Sequence, residues 1–441
     1  MGIIVIVGLV ACALASLARP WIGVAYAYLV VVLSPQDIWF WDFQGIRPEF
    51  WVILTTIIGV AIGFARGAIS LKPLKRRRNL YVLVLWACVI VSYYFGPFTH
   101  VGGPFRFDNP DLALVKYNKI FVLYFIACLC VNDERKTHAL FFVMVASVLY
   151  LVYWANLQAH TGHYFGRLNG PVGPSGQGNY QDQNNFAMLF VVGQPFLLFW
   201  GASQHRPLVR WAIWATVPFA WNAVFLTGSR GGLLGLGVTT FLIAVRSKRR
   251  GLMFLFLLPA LVIAFVWKGG PVMQDRATTI VHYQHNASAE GRLESWRAAL
   301  RMIAAHPLTG VGLASYGPAF PHYSDQTPRE AHDTVLQTAA ESGVIAGLMY
   351  LLITAGLLRE LWLNGRRLKD DPAPVAQRLF IINEATFAGF SGLIVCSIFL
   401  SLQQFEIFYL LNVIGSGLLY ASDHYFIKDN TQTAAVMRAV T

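Results

Sequence analysis

Long apolar runs separated by short polar connections make up most of the chain, and this pattern limits what it can fold into. Of its 441 residues, 56% are hydrophobic and only 13% are charged. A typical soluble domain carries about 25% charged residues. So few charges cannot cover the surface of a soluble globule of this size. The composition therefore excludes a cytosolic enzyme, a nucleic-acid binder and a disordered scaffold, and it indicates a membrane protein.

The apolar runs predict the number of membrane spans. A helix needs about 20 apolar residues to cross a bilayer. Because the first two candidates are short and flank Arg19-Pro20, we expect an all-α polytopic fold with 12 to 13 transmembrane helices. The candidate spans are 2–18, 20–36, 49–66, 79–96, 114–131, 137–156, 184–201, 209–227, 231–246, 251–267, 334–358, 379–401 and 405–421.

Lysine and arginine clusters between the spans account for the net charge of +12 and predict the orientation. Basic loops mark the cytoplasmic side of a membrane. The strongest cluster lies at 66–78, and alternation of the spans puts those at 133–136, 205–210, 246–250 and 359–378 on the same side. Orientation in the membrane therefore explains the charge, and no nucleic-acid partner is expected.

The opposite face carries the longest connections, of which 268–333 is the largest. Loops of this length are usually functional or disordered. An amphipathic helix is expected at 288–305, and its apolar stripe is predicted to contain Leu293, Trp296, Ala299, Leu300 and Ile303. We expect four parts, which are a transmembrane bundle at 1–267, the large loop at 268–333, transmembrane helices at 334–427 and a mobile cytoplasmic tail at 428–441.

Arg230 is the first candidate for chemistry, in an outer turn of sequence Ser229-Arg230-Gly231-Gly232. Ser229 is a suitable N-cap for the next helix. Arg230 would then stand beside free backbone N–H groups, and together they form an anion site suited to phosphate. Alternatively, Arg230 extends to the membrane interface while the glycines allow close helix packing.

Arg292 and His332 are the second and third candidates, both in the large loop. Arg292 lies near the start of the expected helix, where an anion is also favoured; otherwise it is a solvated charge. His332 precedes Asp333 and Thr334, either of which can cap the next helix. A helix N-terminus favours neutral histidine, the form that a general base needs. The alternative is a capping or packing histidine.

The remaining candidates are weaker. At about 100° per residue, Glu341 is out of phase with His332, so it is interpreted as a structural or supporting carboxylate. Asn185 stands at another outer helix start, where amides either bind sugar hydroxyls or cap the helix. Arg297, Arg301 and Arg329 are secondary basic candidates. His282 and His285 lack an acidic ligand at suitable spacing, so neither a metal nor another cofactor is expected.

These motifs, taken in order, resemble the bacterial O-antigen ligase/polymerase superfamily. They are Asn185-Phe186-Ala187, Ser229-Arg230-Gly231, Gly291-Arg292 with Trp296, His306-Pro307-Leu308 with Gly310-Val311-Gly312, and His332 with Glu341-Ser342-Gly343. The stretches Arg19-Pro20-Trp21-Ile22-Gly23 and Ser34-Pro35 are similar to the branch called exosortase-associated O-glycosylation ligases. The residue after the family's histidine is often Asn, whereas here it is Asp333.

The resemblance implies a GT-C-like glycosyltransferase of the bacterial inner membrane. Such an enzyme transfers a glycan from undecaprenyl diphosphate to lipid A–core oligosaccharide at the periplasmic face, with inversion and without metal. By this likeness, Arg230 and Arg292 hold the diphosphate and His332 activates the acceptor hydroxyl. The chemistry agrees, because guanidinium groups placed where the leaving diphosphate gains charge stabilise the transition state.

Two alternatives share this chemistry, namely a polymerase that adds glycan repeats and a ligase that glycosylates protein. The acceptor lies outside the shared motifs, so the sequence does not separate them. A transporter of polysaccharide or lipid is the alternative of another class. Transporters tend to show repeated halves and polar residues at mid-membrane, whereas here no repeat is evident and the candidate residues collect at one face.

Overall fold

A computed structural model describes residues 2–102, 108–163, 166–173, 178–247, 250–281 and 287–440. All the regular secondary structure within these ranges is helical. The helices are α1 Gly2–Ala18, α2 Pro20–Leu33, α3 Pro35–Ile38, α4 Pro48–Ala65, α5 Arg77–Phe95, α6 Pro110–Cys130, α7 Glu134–Thr161, α8 Gln183–Ala202, α9 Pro207–Ala215, α10 Val217–Thr227, α11 Arg230–Arg246, α12 Arg250–Lys268, α13 Gly270–Val281, α14 Ala287–Ala305, α15 Tyr316–Ala319, α16 Thr334–Ser342, α17 Val344–Leu368, α18 Pro374–Ser397 and α19 Glu406–Val440. Short 3₁₀ turns lie at Lys72–Lys75 and Phe320–His322.

Eight of these helices are long and apolar enough to cross a membrane, within the part of the chain that is described. They are α4, α5, α6, α7, α8, α12, α17 and α18. Two further apolar helices, α1 and α2, are shorter. The expected all-α polytopic membrane fold is therefore confirmed. The other segments counted among the 12 to 13 expected spans are shorter, interrupted or less apolar helices.

Two predicted spans are interrupted. The segment 209–227 divides at Thr216 into α9 and α10, because Pro218 in the first turn of α10 cannot continue the hydrogen bonding of the preceding helix. The segment 334–358 divides at Gly343, whose φ of 87° is incompatible with a continuous helix. The short helix α16 is thereby separated from the membrane-spanning α17.

Helices α8, α11 and α18 pack closely in the centre of the bundle. Small residues make this possible, since a Cβ at Gly389 would contact the Val192 carbonyl and one at Gly235 would contact Cys396. Inside the same layer, Gln194 donates hydrogen bonds to Thr239 and Thr240 at 3.2 and 2.9 Å. This packing brings the start of α8 and the start of α11 to the end of α18.

Ion pairs gather at the other end of the bundle and join the basic connections to one another. Asp423 accepts from Arg76 at 2.7 Å and from Arg367 at 3.3 Å. Arg378 pairs with Glu134, which links two further connections. Arg246 is paired with Glu384 at 2.5 Å. The basic connections at 66–78, 133–136, 246–250 and 359–378 are therefore near one another in space.

The large loop has a small core of its own, in which α14 packs on α16. The expected helix is present, but its predicted stripe is partly wrong, because Leu293 and Leu300 are 46% and 56% exposed. The buried face instead contains the small or flexible residues Ser295, Ala298, Ala299 and Met302. Small side chains let α14 and α16 approach each other closely, so the face of α14 that carries them is the buried one.

Two expectations from the sequence stay predictions. His282 and His285 lie outside the described residues. The start of the predicted tail, at 428, falls within the backbone of α19, and the mobility of that tail stays a prediction.

Candidate active site

The site begins at two capped helix N-termini. The Ser229 hydroxyl accepts a hydrogen bond from the Gly232 amide at 3.0 Å, as an N-cap should. Asp182 caps α8 by accepting from the amides of Asn184 and Asn185 at 2.8 and 3.1 Å. Both helices present their positive ends to the same region.

Two arginines enclose the turn between α10 and α11. Arg167 Nε donates to the Thr227 carbonyl at 2.7 Å, and Arg276 Nε donates to the Gly228 carbonyl at 2.6 Å. Gly228 adopts φ 61°, and a Cβ there would lie 3.2 Å from Arg167 and 3.4 Å from Arg276. The two guanidinium groups thus satisfy the last carbonyls of α10 while standing beside Arg230, the first residue of α11.

Electrostatic interactions join these groups to Arg292. Burial lowers the pKa of Arg167 to about 10, and Arg276 and Arg230 lower it as well. The pKa of Arg292 is also lowered, first by burial and then by Arg230 and Arg276, while Asp182 opposes the change. The positive charges of Arg230 and Arg276 therefore destabilise the charged forms of Arg167 and Arg292, which is the electrostatic condition of an anion site.

Aromatic packing holds Arg292 against the end of α18. Its guanidinium lies 5.7 Å from the ring centre of Phe399, a cation–π arrangement. Gly231 faces the same ring, because a Cβ at this position would lie 3.2 Å from the Cβ of Phe399. One aromatic side chain thus connects the Arg292 helix with the start of α11.

The glycine of Gly291-Arg292 has a specific steric role. A Cβ at Gly291 would overlap the guanidinium of Arg329. Arg329 therefore packs directly against the backbone of α14, one residue from Arg292. The missing side chain is what brings the two cations together.

His332 stands in a strained backbone conformation immediately before α16. Its φ is 51°, a left-handed value that side-chain-bearing residues rarely adopt. The residues on either side are fixed, since Trp296 Nε1 donates to the Ala331 carbonyl at 3.0 Å and Asp333 caps α16 by accepting from the Leu336 amide at 2.8 Å. Backbone strain held by its surroundings in this way is common at functional sites.

The site keeps this histidine neutral near neutral pH. Burial lowers the pKa of His332, Arg292 and Arg329 lower it further, and Asp182 partly opposes them. Neutral imidazole has an unprotonated nitrogen that can accept a proton. Electrostatic contact with Arg292, Arg329 and Asp182 also puts His332 beside the arginine cluster.

Glu341 is hydrogen-bonded to Gln337, four residues earlier in α16. Gln337 Nε2 donates to Glu341 Oε1 at 3.0 Å, while Gln337 Oε1 accepts from the Ala331 amide at 3.1 Å. The glutamate is thus connected to the His332 segment through one amide side chain. Burial raises the pKa of Glu341 to about 8, so this carboxyl is largely protonated at neutral pH.

The segment 306–312 is hydrogen-bonded to both ends of the break between α16 and α17. The Val311 amide donates to the Ala340 carbonyl at 2.8 Å, and the Val344 amide donates to the Pro307 carbonyl at 2.8 Å. A Cβ at Gly310 would overlap the Glu341 carbonyl. This turn is therefore a support for α16.

The other candidates divide into two groups. Arg329 and Asn185 line a cavity next to the cluster. Arg297 and Arg301 are exposed and pair with Glu294 at 3.4 and 3.1 Å.

Among the described residues, no group of three or more histidine, cysteine or acidic side chains is arranged to hold a metal.

Sequence reasoning missed Arg167, Arg276 and the electrostatic role of Asp182. Arg167 follows a glycine in an outer loop, and Arg276 lies in the short α13. The sequence indicates their role only by placing both residues in connections on the same predicted side of the membrane as Arg230. Their meeting at Gly228 depends on tertiary packing, which a local motif does not encode.

The fold and site define a class of protein, a polytopic α-helical membrane protein with a cluster of arginines at one end of its bundle. Residues 215–351 match the family model Wzy_C, described as O-Antigen ligase. The match confirms, over this segment, the resemblance to the O-antigen ligase superfamily, and it supports glycan transfer of the ligase or polymerase type in general. The segment contains Arg230, Arg292, His332 and Glu341. Comparison with curated proteins gives no match.

Proposed function

We propose that the protein is a GT-C-like glycosyltransferase of the bacterial inner membrane that transfers a glycan from undecaprenyl diphosphate to lipid A–core oligosaccharide at the periplasmic face. The reaction inverts the anomeric centre and needs no metal. The observation that carries this proposal is the meeting of four arginines with a neutral histidine at the starts of α8 and α11. The family match supports the donor and acceptor classes only in general terms.

The arginines have the chemistry to hold a diphosphate. Arg230 and Arg292 are the primary ligands, and Arg167 and Arg276 add positive charge from the turn at Gly228. As the bond from the anomeric carbon to the diphosphate oxygen breaks, negative charge accumulates on that oxygen. Fixed cations and helix N-termini stabilise this charge more in the transition state than in the bound donor.

His332 is the general base. Its neutral imidazole accepts the proton of the acceptor hydroxyl while the hydroxyl oxygen attacks the anomeric carbon from the face opposite the diphosphate. A new glycosidic bond forms as the diphosphate leaves, which gives inversion. A positioned base contributes about 10²- to 10⁴-fold to rate.

The direct test is transfer by the full-length protein in lipid nanodiscs, supplied with lipid-diphosphate glycan and lipid A–core. We expect Arg230→Ala and Arg292→Ala each to reduce kcat about 10²- to 10³-fold, and His332→Ala to reduce it about 10²- to 10⁴-fold. Arg135→Ala, an exposed arginine next to the Glu134 that pairs at the far end of the bundle, is the matched control and should keep normal activity. Normal transfer by all three site variants would refute the proposal.

The same assay distinguishes the related reactions. Parallel reactions receive lipid A–core, a second molecule of lipid-diphosphate glycan, or a hydroxyl-bearing peptide as acceptor. A product on lipid A–core supports the ligase, glycan lengthening supports the polymerase, and a glycopeptide supports protein glycosylation. Glycan-independent exchange across vesicles, with no transfer in any reaction, would support the transporter instead.

A further inference from the structure

A polar cavity of about 310 Å³ lies beside the arginine cluster. Its volume is at the lower end of the range of small-molecule pockets, about 300–1,000 Å³. Arg329 and Asn185 line it, and these two residues also belong to the surroundings of Arg292 and the start of α8. A group bound to the arginines therefore has this cavity as its immediate neighbour.

Amides and carboxyls dominate the interior of the cavity. Gln337 and Glu341 line one wall and are only 4% and 3% exposed. Glu330 and Gln403 also line the cavity, and Gln403 belongs to the connection between α18 and α19. Tyr316 adds an aromatic ring, so the cavity offers hydrogen-bonding groups together with one flat apolar face.

One of these groups is left without a partner. Gln403 is 7% exposed, and its Oε1 finds no hydrogen-bond partner among the described residues. An amide oxygen that is buried without a hydrogen-bond partner is energetically unfavourable. Gln337, in contrast, is fully engaged, since its Oε1 accepts from both the Ala331 amide at 3.1 Å and the Ser401 hydroxyl at 2.6 Å. The cavity is thus lined by one firmly positioned amide and by a second amide whose buried oxygen has no partner among the described residues.

From this geometry we propose that the cavity is a subsite for an uncharged saccharide ring whose hydroxyl groups bind Glu341, Glu330 and Gln403, next to the arginine cluster that Arg329 adjoins. This inference rests on the proposed function and names the chemistry of the sugar next to the reacting bond. Hydroxyl groups both donate and accept, as do the amides and protonated carboxyls of this wall.

The charges around the cavity favour an uncharged ring. Burial raises the pKa of Glu330 to about 7 and that of Glu341 to about 8, and Asp108 raises both. The burial and the neighbouring acidic groups that disfavour ionisation of Glu330 and Glu341 would equally disfavour the carboxylate of a sugar acid. Lys116 and Arg329 also line the cavity, but Lys116 lies 3.7 Å from Glu406 and Arg329 faces Gly291. A neutral ring avoids this penalty.

The test uses carbodiimide, which modifies protonated carboxyls, on the full-length protein in nanodiscs at neutral pH. Peptide mass spectrometry measures modification of Glu341. We expect labelling of free protein and at least fivefold protection by one saccharide ligand. Lipid-diphosphate glycan extracted from the producing cells tests the donor, lipid A–core from the same cells tests the acceptor, and bare undecaprenyl diphosphate is the sugar-free comparison. The Glu341→Gln variant, treated in the same way, measures the labelling that does not arise at this carboxyl.

The outcomes separate the two proposals, because the readout does not require transfer. Protection by the glycan donor but not by bare undecaprenyl diphosphate identifies a donor sugar, and protection by lipid A–core identifies an acceptor sugar. Absence of labelling, or equal labelling with and without both saccharides, would overturn the subsite even if transfer occurs. Protection without transfer would instead leave the subsite standing and refute the glycosyltransferase.

A kinetic comparison supplies the second arm. Gln403→Leu removes the hydrogen-bonding amide and should raise the KM of the same substrate at least tenfold, with a smaller change in kcat. Gln326→Leu, at an exposed loop position, should leave both constants unchanged. An equal effect of the two variants would contradict the subsite.

Discussion

Charges on single residues influence the pKa of His332, the general base of the proposed mechanism. His332 must be neutral to act as a base, so transfer should fall as the pH drops through its pKa, which lies below the ordinary value of 6.5. Arg329 lowers this pKa and Asp182 raises it. The two neighbours therefore provide a test in which the expected shifts have opposite signs.

We expect Arg329→Gln to move the acid limb of the kcat/KM profile to higher pH, because removing a cation favours the imidazolium form. Asp182→Asn should move the limb to lower pH, because removing an anion disfavours that form. Asn remains a good N-cap, so the second variant retains the start of α8. The check is the pH dependence of kcat/KM for both variants; shifts of the same sign would be inconsistent with these electrostatic roles.

Steric space at Gly291 leads to a second prediction at the same scale. Gly291→Ala should displace the Arg329 guanidinium and reduce transfer at least tenfold. Within a helix, alanine is favoured over glycine by about 1 kcal/mol, so helix propensity itself predicts no loss of stability. Gly237→Ala is the matched control, because a Cβ at that helical position meets nothing within 4 Å. Both variants are compared by initial transfer rate and by thermal unfolding in the same detergent.

Among the elements, α16 depends most on a neighbouring turn. Gly310 adopts φ 69°, and a Cβ there would overlap the Glu341 carbonyl. We expect Gly310→Ala to cost about 1–2 kcal/mol from the backbone conformation and a further ~1–3 kcal/mol from overpacking.

Gly162 separates these two contributions. It has a similar φ of 71°, but a Cβ there meets nothing within 4 Å. Gly162→Ala should therefore show only the conformational cost, about 1–2 kcal/mol. The two melting temperatures are measured in the same detergent, and equal decreases would show that packing against α16 contributes nothing.

The elements also indicate how far sequence reasoning reaches. The apolar runs and the caps at Ser229 and Asp333 are local features, and the sequence predicts them well. The break at Gly343 is hidden because the apolar pattern continues through it. Hydrophobicity alone predicts that Leu293 and Leu300 are buried. In the structure they are exposed, because the close packing of α14 favours small residues on its buried face.

The candidate site shows the same division. Arg230, Arg292 and His332 belong to recognisable short motifs. Arg167 and Arg276 contribute through contacts with the turn at Gly228, from positions distant in the chain. The cavity likewise depends on the approach of several elements, so its unpaired Gln403 oxygen could not be predicted from sequence.

In the whole molecule, the candidate site and the ion-paired basic connections occupy opposite ends of the bundle. Arg378 pairs with Glu134 near the start of α18, whereas Phe399 beyond the end of α18 contacts Arg292. A helix of the length of α18, 24 residues, is long enough to cross a bilayer. The lipid-linked diphosphate and the basic loops would therefore meet opposite membrane surfaces, as a periplasmic transferase requires.

This arrangement makes orientation testable in intact cells. In a variant whose five cysteines are replaced, Gln326→Cys tests the loop near the site and Arg135→Cys tests the connection before α7, both at exposed positions. We expect a membrane-impermeant maleimide that passes the outer membrane to label Cys at 326 in intact cells, and Cys at 135 only after the inner membrane is permeabilised. The cysteine-free variant measures background. Because basic loops favour the cytoplasm, the reverse labelling pattern would put the arginine cluster on the side where the proposed periplasmic reaction cannot take place.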